Sequence, residues 1–504
     1  MNFVKNLWVK QPLLLILSVG FLLRLIAVIF AKGFGMHDDH FLVIEAAQSW
    51  ADGTDYNYWL PGSKINAHPT GHSFFYVGLH YFLFVILNWV KLSDPQMKMF
   101  VVRLLHALFS LLVIIYGYKI TEKISNKSIA KNTALLLASL WFMPWLSVRN
   151  LVEVVCIPFL IAGIWMIINS ETKKHNYFYL FISGIILGLS ISIRYQTSIF
   201  IFGIILALFI EKKWRTSSLV ILGTILSFSL IQGFTDYFIW KKPFAEFLAY
   251  VKYNLNNAND YVTNSWYSYL LLFAGVLIPP VSIFLLIGFF KSFQKKYLIL
   301  FLPAFLFIVF HSFFPNKQER FILPAIPFII ILGMVGWNSI IEKKLFLQRS
   351  KKVIYKCWVF FWFLNIILLP FVSTMYSKKA RVESMTYLSK YKNIKTLLLE
   401  DSNHETAKMP PEFYLGQWIG VCEINKTKTI DSLKVTLNKI SKSSYPKFVL
   451  FFEDKNLVTR IKNVKTIFPD LKLEKVILPG LIDKILFKLN PINANQTIYI
   501  FRTF

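Results

Sequence analysis

Residues 11–30 read QPLLLILSVGFLLRLIAVIF, a stretch in which Arg24 is the one charged residue. A bilayer core about 30 Å thick needs ~20 such residues in a single helix. Apolar runs of similar length recur along the chain as far as Val372. Hydrophobic residues make up 55% of the chain and charged residues only 16%, whereas soluble domains carry about 25% charged residues. The sequence therefore predicts an α-helical polytopic membrane protein, and we expect residues 11–30 to stay in place as its first span.

Basic residues set the expected topology. Lysine and arginine number 55 against 27 aspartates and glutamates, but most of the surplus lies in short runs between apolar segments, which argues against a nucleic-acid partner. Short basic loops stay in the cytoplasm. Five loops qualify, at 119–131, 171–175, 211–215, 291–296 and 342–352.

All five loops share one side with the N-terminus if the chain crosses the membrane eleven times, which puts the C-terminus outside. The predicted spans are 11–30, 100–118, 132–148, 152–169, 178–193, 197–210, 217–234, 267–290, 297–314, 321–341 and 353–373. The apolar segment 72–90 does not fit this count, because one crossing there would move every later basic loop outside. Its tyrosine, histidine and tryptophan content favours a helix at the outer interface, or one that dips in and returns.

Three segments then fall outside the membrane: 31–99, 235–266 and 376–504. The last contains alternating apolar runs that are typical of strands, with a helical pattern between them, and this indicates a small α/β domain on the outer face. The runs lie at 395–399, 448–452, 473–478 and 497–501. We expect a transmembrane domain over 1–375, with outer loops at 31–99 and 235–266, followed by a soluble domain over 376–504.

The first outer loop opens with two adjacent carboxylates, Asp38 and Asp39, between His37 and His40. Neighbouring like charges raise the pKa of one of the two carboxyl groups. This arrangement is therefore costly unless the pair is solvated or has a role in catalysis or binding. A solvated loop would explain it. A general base or a ligand set for a divalent cation would explain it equally well.

Charged residues also gather at the outer ends of four spans. A charge near the bilayer centre costs at least ~2.5 kcal/mol, so such residues carry information. The four clusters are Arg149 with Glu153, then Arg194, then Asp236, and finally Lys317 with Glu319 and Arg320. A salt bridge between helices could explain any one of them. Four clusters on the side that carries Asp38 favour one site for an anionic substrate.

These residues resemble the motifs of a known family. The string Met36–Phe41 with Glu45 resembles the "HPDEHFQ…E" first-loop motif of the GT-C superfamily, specifically glycosyltransferase family 22, the polyprenyl- or dolichyl-phosphate-mannose-dependent α-mannosyltransferases. Further along, 149–153 resembles "SNxLE", Arg194 the arginine of "RPT", Asp236 the aspartate of "D…YG.W", Trp266 the tryptophan of "PW", and 311–324 the segment "HSxxPHKEERFLLP". The resemblance extends over residues 24–335, so 376–504 lies outside it.

The resemblance implies a GT-C fold and the transfer of a sugar, expected to be mannose, from a polyprenyl-phosphate donor to a hydroxyl of a glycan or lipid-linked acceptor, with inversion. It implies Asp38 as the general base, with Asp39 beside it. The leaving phosphate needs positive charge, which arginine and lysine supply. The expected substrate-binding residues are Glu45, Glu153, Arg194, Asp236, Trp266, His311, Lys317, Glu319 and Arg320. No cofactor is required, although Asp38, Asp39 and His40 could hold a divalent metal.

Two other classes of function stay open on the residues alone. A transporter or flippase also places charged residues in spans, and a lipid-linked oligosaccharide polymerase would act on similar substrates. For the location, we expect a multi-pass protein of the bacterial inner membrane with its active site facing the periplasm. In a eukaryote the site would face the lumen of the endoplasmic reticulum. Membrane lipid is then a partner, and nucleic acid is not.

Overall fold

A computed structural model describes residues 2–62, 68–170, 176–261, 263–490 and 496–503. The predicted basic loop 171–175 lies outside the described residues. The helices are α1 Asn2–Lys10, α2 Pro12–Phe30, α3 His37–Asp39, α4 Ala46–Ala51, α5 Phe74–Trp89, α6 Pro95–Ile124, α7 Lys127–Ser139, α8 Met143–Leu146, α9 Val152–Ser170, α10 Tyr177–Ile193, α11 Thr197–Ile210, α12 Trp214–Phe228, α13 Phe234–Trp240, α14 Ala245–Asn256, α15 Ser268–Val276, α16 Val281–Lys291, α17 Leu298–Phe313, α18 Ile326–Lys343, α19 Leu345–Arg349, α20 Lys351–Ser373, α21 Lys379–Leu388, α22 Ile430–Asn438, α23 Leu457–Lys465 and α24 Leu481–Leu489. The strands are β1 Thr396–Glu400, β2 Gly420–Ile424, β3 Phe448–Phe452, β4 Lys472–Ile477 and β5 Ile498–Arg502.

Within the described residues, seven helical stretches are long and apolar enough to cross a bilayer. They are Pro12–Phe30, Pro95–Ile124, Val152–Ser170, Trp214–Trp240, Lys295–Phe313, Glu319–Lys343 and Lys351–Ser373. Each coincides with a predicted span. The predicted spans at 178–193 and 197–210 are also helices, although each is shorter than 18 residues. The segment 72–90 forms the 16-residue helix α5.

The predicted span 132–148 is wrong in its bounds, because α7 begins at Lys127 and ends at Ser139. Leu140 has an extended backbone, and the short helix α8 follows, with Pro144 in its first turn. The side chain of Asn365, from α20, forms hydrogen bonds with backbone groups on both sides of this break. It donates to the Ser139 carbonyl at 2.9 Å and accepts from the Trp141 amide at 2.8 Å.

Two further boundaries differ from the prediction. The span 267–290 is interrupted between α15 and α16, where Pro279 and Pro280 lack the amide donors that a continuous helix needs. The basic stretch 119–131 is not a loop over most of its length. Helix α6 continues to Ile124 and α7 starts at Lys127, so only two residues join them. Hydropathy marks where chains become polar, and a helix can extend beyond that point.

The guanidinium of Arg24, in the middle of the first span, is fully buried. Its Nε donates to the Ser110 hydroxyl at 2.7 Å, and one terminal nitrogen donates to the carbonyls of Gly20 and Ala138. This arginine therefore joins three helices through hydrogen bonds within the protein.

Helices α16 and α18 approach each other through glycines. A Cβ added at Gly336 would lie 1.9 Å from the Gly288 carbonyl oxygen, and one added at Gly288 would lie 2.1 Å from that of Gly333. No side chain larger than hydrogen fits at these contacts, so the two helix backbones touch directly. This contact fixes α18, which follows the segment that carries Arg320.

The chain divides into two compact units. The helical unit comprises Met1–Ile29, Tyr58–Leu79 and Val101–Thr374, and the sheet unit comprises Phe30–Asn57, His80–Phe100 and Met375–Phe504. The sheet unit thus includes much of the first loop as well as the chain after α20.

The sheet unit contains a five-stranded sheet in the order β2-β1-β3-β5-β4. β1 is parallel to both of its neighbours, whereas β5 is antiparallel to β3 and to β4. Buried side chains such as Leu398, Val449 and Phe501 form its core with helices α22 and α23. The predicted α/β character of this region is confirmed.

Candidate active site

A buried cluster of charges lies in the helical unit at the end of the bundle away from the basic turns. Glu153 stands in the first turn of α9, Arg194 directly follows α10, and Arg320 precedes α18. The Glu153 carboxylate forms an ion pair with Arg194, and its Oε1 lies 3.6 Å from Nε of Arg320. One carboxylate between two guanidiniums leaves a surplus of positive charge.

Several polar atoms of this cluster have no partner among the described residues although they are buried. They are Glu153 Oε2, Arg194 Nε and His311 Nε2. A buried polar group without a hydrogen bond is costly. A polar ligand at this cluster would give these atoms the partners that they lack.

His311 presents a defined face to this cluster. Its Nδ1–H donates to the Phe307 carbonyl at 2.8 Å. In the neutral imidazole the other nitrogen, Nε2, is then an acceptor. A neutral His311 can accept a hydrogen bond from a hydroxyl, and it can donate one to an anion only when it carries a second proton.

Three other predicted site residues of the helical unit, namely Lys317, Glu319 and Trp266, differ in how exposed their side chains are. Lys317 is buried, and its Nζ donates to the Phe314 carbonyl at 2.8 Å, whereas Glu319 is exposed. Trp266 is 57% exposed, with its ring stacked 6.4 Å from that of Phe313. Lys317 therefore adds charge from a buried position, and Trp266 offers an open aromatic surface.

Asp236 belongs to a separate hydrogen-bond network in the same unit. Its oxygens accept from the Gln232 side chain at 2.8 Å and from the Glu246 amide at 3.0 Å. The Glu246 carboxylate accepts in turn from the amides of Gly71 and His72, at 2.6 and 3.1 Å, and from the Trp240 indole. Burial raises the pKa of Glu246 to about 7. These two carboxylates connect the described part of the outer loop near 71–72 to helices α13 and α14.

The acidic motif of the first loop lies in the sheet unit. Residues 37–51 form one helical segment in which His40–Glu45 is a π-helical turn; such turns occur frequently at functional sites. Asp39 and Glu45 are buried in this segment, whereas Asp38 is half-buried. Asp38 is therefore the least buried carboxylate of the three.

The imidazole of His40 is fully buried between two aromatic rings. It stacks on Phe34 at 4.5 Å and on Tyr414 at 5.3 Å. Its Nε2 lies 3.3 Å from Glu45 Oε1, outside hydrogen-bonding geometry. Burial, together with the nearby charges of Arg381 and Lys378, holds the pKa of His40 well below its usual value. His40 is therefore neutral at physiological pH.

The segment after α20 completes this acidic motif, which the sequence alone does not reveal. The Phe413 amide donates to Glu45 Oε1 at 3.0 Å, and Lys378 Nζ donates to the Gly35 carbonyl at 3.0 Å. The buried guanidinium of Arg381 lies over the rings of Phe34 and Phe41, at 5.3 and 5.8 Å. Nothing in the local sequence around Arg381 or Phe413 indicates these contacts, because the partners lie over 300 residues away along the chain.

Metal ligation was an expected alternative for Asp38, Asp39 and His40. Among the described residues, no group of three histidine, cysteine or carboxylate side chains is arranged to hold a metal ion. The stacking of His40 between Phe34 and Tyr414 occupies both faces of the ring.

Comparison with known proteins adds the family and the fold. The sequence matches the model of the Alg9-like mannosyltransferase family over residues 15–414. A comparison with curated proteins gave no match. The match reaches Tyr414, so the expectation that 376–504 lies wholly outside the resemblance is wrong. The physical reason is that Phe413 and Tyr414 contact Glu45 and His40 directly.

Solved structures of other proteins are similar to most of the chain. ArnT from Cupriavidus metallidurans, bound to undecaprenyl phosphate, has a TM-score of 0.61 at 12% identity, covering 97% of this chain and 98% of that one. The Archaeoglobus fulgidus oligosaccharyltransferase in complex with zinc and sulfate has a TM-score of 0.56 at 12% identity, covering 87% and 68%. Both are GT-C enzymes, so these similarities confirm the predicted GT-C fold.

The buried Glu45 predicts a pH-dependent stability. Burial raises its pKa to about 8, against the opposing Phe413 hydrogen bond and the charge of Arg381. The pKa of a glutamate in the unfolded chain is about 4.3, so the folded state favours the protonated acid. The stability that this preference contributes is fully present below about pH 4.3 and is lost as the pH rises through 8. Glu45→Gln imitates the protonated acid. We expect the melting temperature of the wild type to fall between pH 5.5 and 8.5 by at least ~2 °C more than that of Glu45→Gln.

The matched control is Glu405→Gln, which removes an exposed carboxylate from the same unit. It should leave the pH profile of the wild type unchanged. Parallel wild-type and Glu45→Gln profiles would contradict the raised pKa.

Proposed function

The chain belongs to the Alg9-like mannosyltransferase family, and from that premise we propose that it transfers mannose from a polyprenyl-phosphate donor to a hydroxyl of a glycan or lipid-linked acceptor, with inversion. The donor class is supported by the undecaprenyl phosphate bound to the structural neighbour ArnT. The acceptor class follows from the family. Inverting transfer needs a base that takes the acceptor proton and positive charge that stabilises the departing phosphate.

The observation that carries the proposal is the buried cluster of Glu153, Arg194 and Arg320. Its surplus positive charge matches a phosphate group. Arginine can contact two phosphate oxygens at once through its planar fork. As the bond between sugar and phosphate breaks, negative charge grows on the phosphate, and a preorganised guanidinium stabilises that charge without rearranging. Lys317 adds a further positive charge to this site.

We assign the base to Asp38. Of the carboxylates in the first motif, Asp39 and Glu45 are buried, and Glu45 also accepts the Phe413 amide. Asp38 is only half-buried, so it is the carboxylate that we expect to reach an acceptor hydroxyl. Asp39 and Glu45 then support and orient the segment that carries Asp38. We assign Trp266 to a face of the sugar ring and His311 to a sugar hydroxyl. No step of this scheme uses a metal ion or a cofactor.

We further propose that the Arg320 end of the bundle faces the periplasm of a bacterial inner membrane, or the lumen in a eukaryotic cell. The basic stretches at 119–131 and 342–352 lie at the other end and favour the cytoplasm.

The first test is transfer from labelled polyprenyl-phosphate mannose by wild-type membranes, compared with Asp38→Asn. An amide cannot take the hydroxyl proton, so we expect the transfer rate to fall by ~10²- to 10⁴-fold at unchanged abundance. Asp94→Asn is the control, since Asp94 is an exposed residue of the same unit whose side chain accepts from the Met97 amide. Near-normal turnover in Asp38→Asn would end the assignment of the base, and no transfer by the wild type would end the proposed reaction.

The second test concerns Arg320. An arginine–phosphate contact is typically worth ~1.5–3 kcal/mol, so Arg320→Ala should lower kcat/KM about ten- to a hundredfold, with part of the loss in kcat. Arg320→Lys keeps the positive charge but lacks the planar fork, so its kcat/KM should lie between those of the wild type and Arg320→Ala. The acceptor KM should change little.

Arg320 also lies near Glu153, so a purely structural role has to be separated from phosphate binding. A structural role predicts a less stable protein whose folded fraction turns over normally. Specific activity per folded molecule, measured after detergent purification, distinguishes the two. Arg215→Ala is the matched control, because Arg215 is an exposed arginine bonded to Tyr177 at the other end of the bundle.

The third test concerns orientation. In a background with Cys156, Cys357 and Cys422 replaced by serine, single cysteines are introduced at the exposed positions Ser265 and Ser125. In intact spheroplasts an impermeant maleimide should label Ser265→Cys and not Ser125→Cys, and permeabilisation should expose both. Labelling of Ser125→Cys in intact spheroplasts would refute the orientation.

A further inference from the structure

A cavity of about 280 Å³ lies in the helical unit among α7, α18 and α20, distant in sequence from the catalytic motifs. Its walls include Trp337, Trp358 and Trp362, together with aliphatic side chains of α7 and α18. Two amides, Asn132 and Asn338, also line it. One water needs only roughly 10–15 Å³, so this space is far too large for a single water and close to the size of small-ligand pockets.

Trp337 supplies an unused hydrogen-bond donor at this cavity. The residue is 8% exposed, and its Nε1 has no hydrogen-bond partner within the part of the chain that the structure describes. Its ring stacks on Phe284 at 4.4 Å with an interplanar angle of 2°, which holds the indole in one orientation. A buried N–H without an acceptor is costly, so the site is completed by a ligand that brings one.

The lining residues stand beside the basic turns of the chain. Asn132 is five residues, or about 7.5 Å of helix, from Lys127, and Ile341 is two residues from Lys343. The stretches 127–131 and 342–352 together contain seven lysines and arginines against one acid, Glu342, whose carboxylate accepts from the Asn338 amide. The cavity therefore has a mostly apolar lining and lies in the part of the bundle next to these basic stretches.

We propose that this cavity binds an anionic glycerophospholipid. The tryptophan walls match the upper acyl chains and the glycerol, and aromatic rings are favoured at this depth of a bilayer. An ester carbonyl of the lipid accepts from Trp337 Nε1, and the phosphate lies toward the neighbouring basic stretches, as in basic pockets between transmembrane helices. A polyprenyl phosphate has no ester carbonyl for the indole, and a neutral lipid has no net charge for the lysines. The combination of the two features selects the proposed class.

The test measures lipid binding to the delipidated, detergent-purified protein. Native mass spectrometry and thermal unfolding are followed with phosphatidylglycerol, phosphatidylcholine and a polyprenyl phosphate. Wild type should bind phosphatidylglycerol most tightly and gain thermal stability from it. Trp337→Phe keeps the ring and removes the donor, so its affinity for phosphatidylglycerol should fall about three- to tenfold. Trp214→Phe, at an exposed tryptophan elsewhere in the unit, should bind as the wild type does.

Two further variants keep the test decisive if Trp337→Phe does not fold. Leu135→Trp fills the cavity and should abolish the gain in stability from the lipid. The pair Lys351→Gln and Lys352→Gln should weaken binding of phosphatidylglycerol while leaving that of phosphatidylcholine unchanged. Equal binding of the charged and neutral phospholipids, tighter binding of the polyprenyl phosphate, or undiminished binding to Leu135→Trp would each overturn the proposal. None of these outcomes depends on the transfer reaction.

Discussion

Inside a bilayer the protein itself has to satisfy every backbone group and every charge, because water is not available to do so. The described residues show how this requirement is met where helices depart from regular geometry. Asn365 bonds both the Ser139 carbonyl and the Trp141 amide, which allows α7 to end early within the bundle. Arg24 is accommodated in the same way by Ser110 and two carbonyls. The architecture around the site depends on such side-chain substitutes for water.

The Glu153 cluster satisfies the same requirement only in part. The Glu153 carboxylate pairs with Arg194 and also lies 3.6 Å from Arg320 Nε, so two guanidiniums share one carboxylate. Buried atoms of Glu153, Arg194 and His311 stay without partners in the described chain. Groups that are fixed and only partly satisfied before the substrate arrives do not have to rearrange when charge develops. This is the property that electrostatic catalysis of phosphate departure requires.

Hydropathy predicted the long spans from sequence because a run of about 20 apolar residues has one stable solution in a membrane. Hydropathy gave the wrong bounds at 132–148. The helix breaks there within an apolar run, because the side chain of the distant Asn365 bonds the backbone groups that the break leaves free. The cationic residues of the predicted site could be singled out because a charge buried within a membrane is costly. The contacts of Arg381 and Phe413 with the first motif could not be predicted, because nothing local to either segment specifies a partner more than 300 residues away. Strand β2 also escapes the alternation rule, as its sequence GVCEI lacks a clear period of two.

The placement of the charges also bears on the competing transporter or flippase. Transport by alternating access needs polar ligands near the middle of the membrane, typically at broken helices in two repeated halves. The charge in the middle of a span here, Arg24, donates to groups of its own protein and so acts as a connection between helices. The paired charges Glu153 and Arg194 instead lie where α9 begins and α10 ends. A site at one end of the bundle can act on a lipid phosphate held in that leaflet without moving it across the membrane, and this favours transfer over transport.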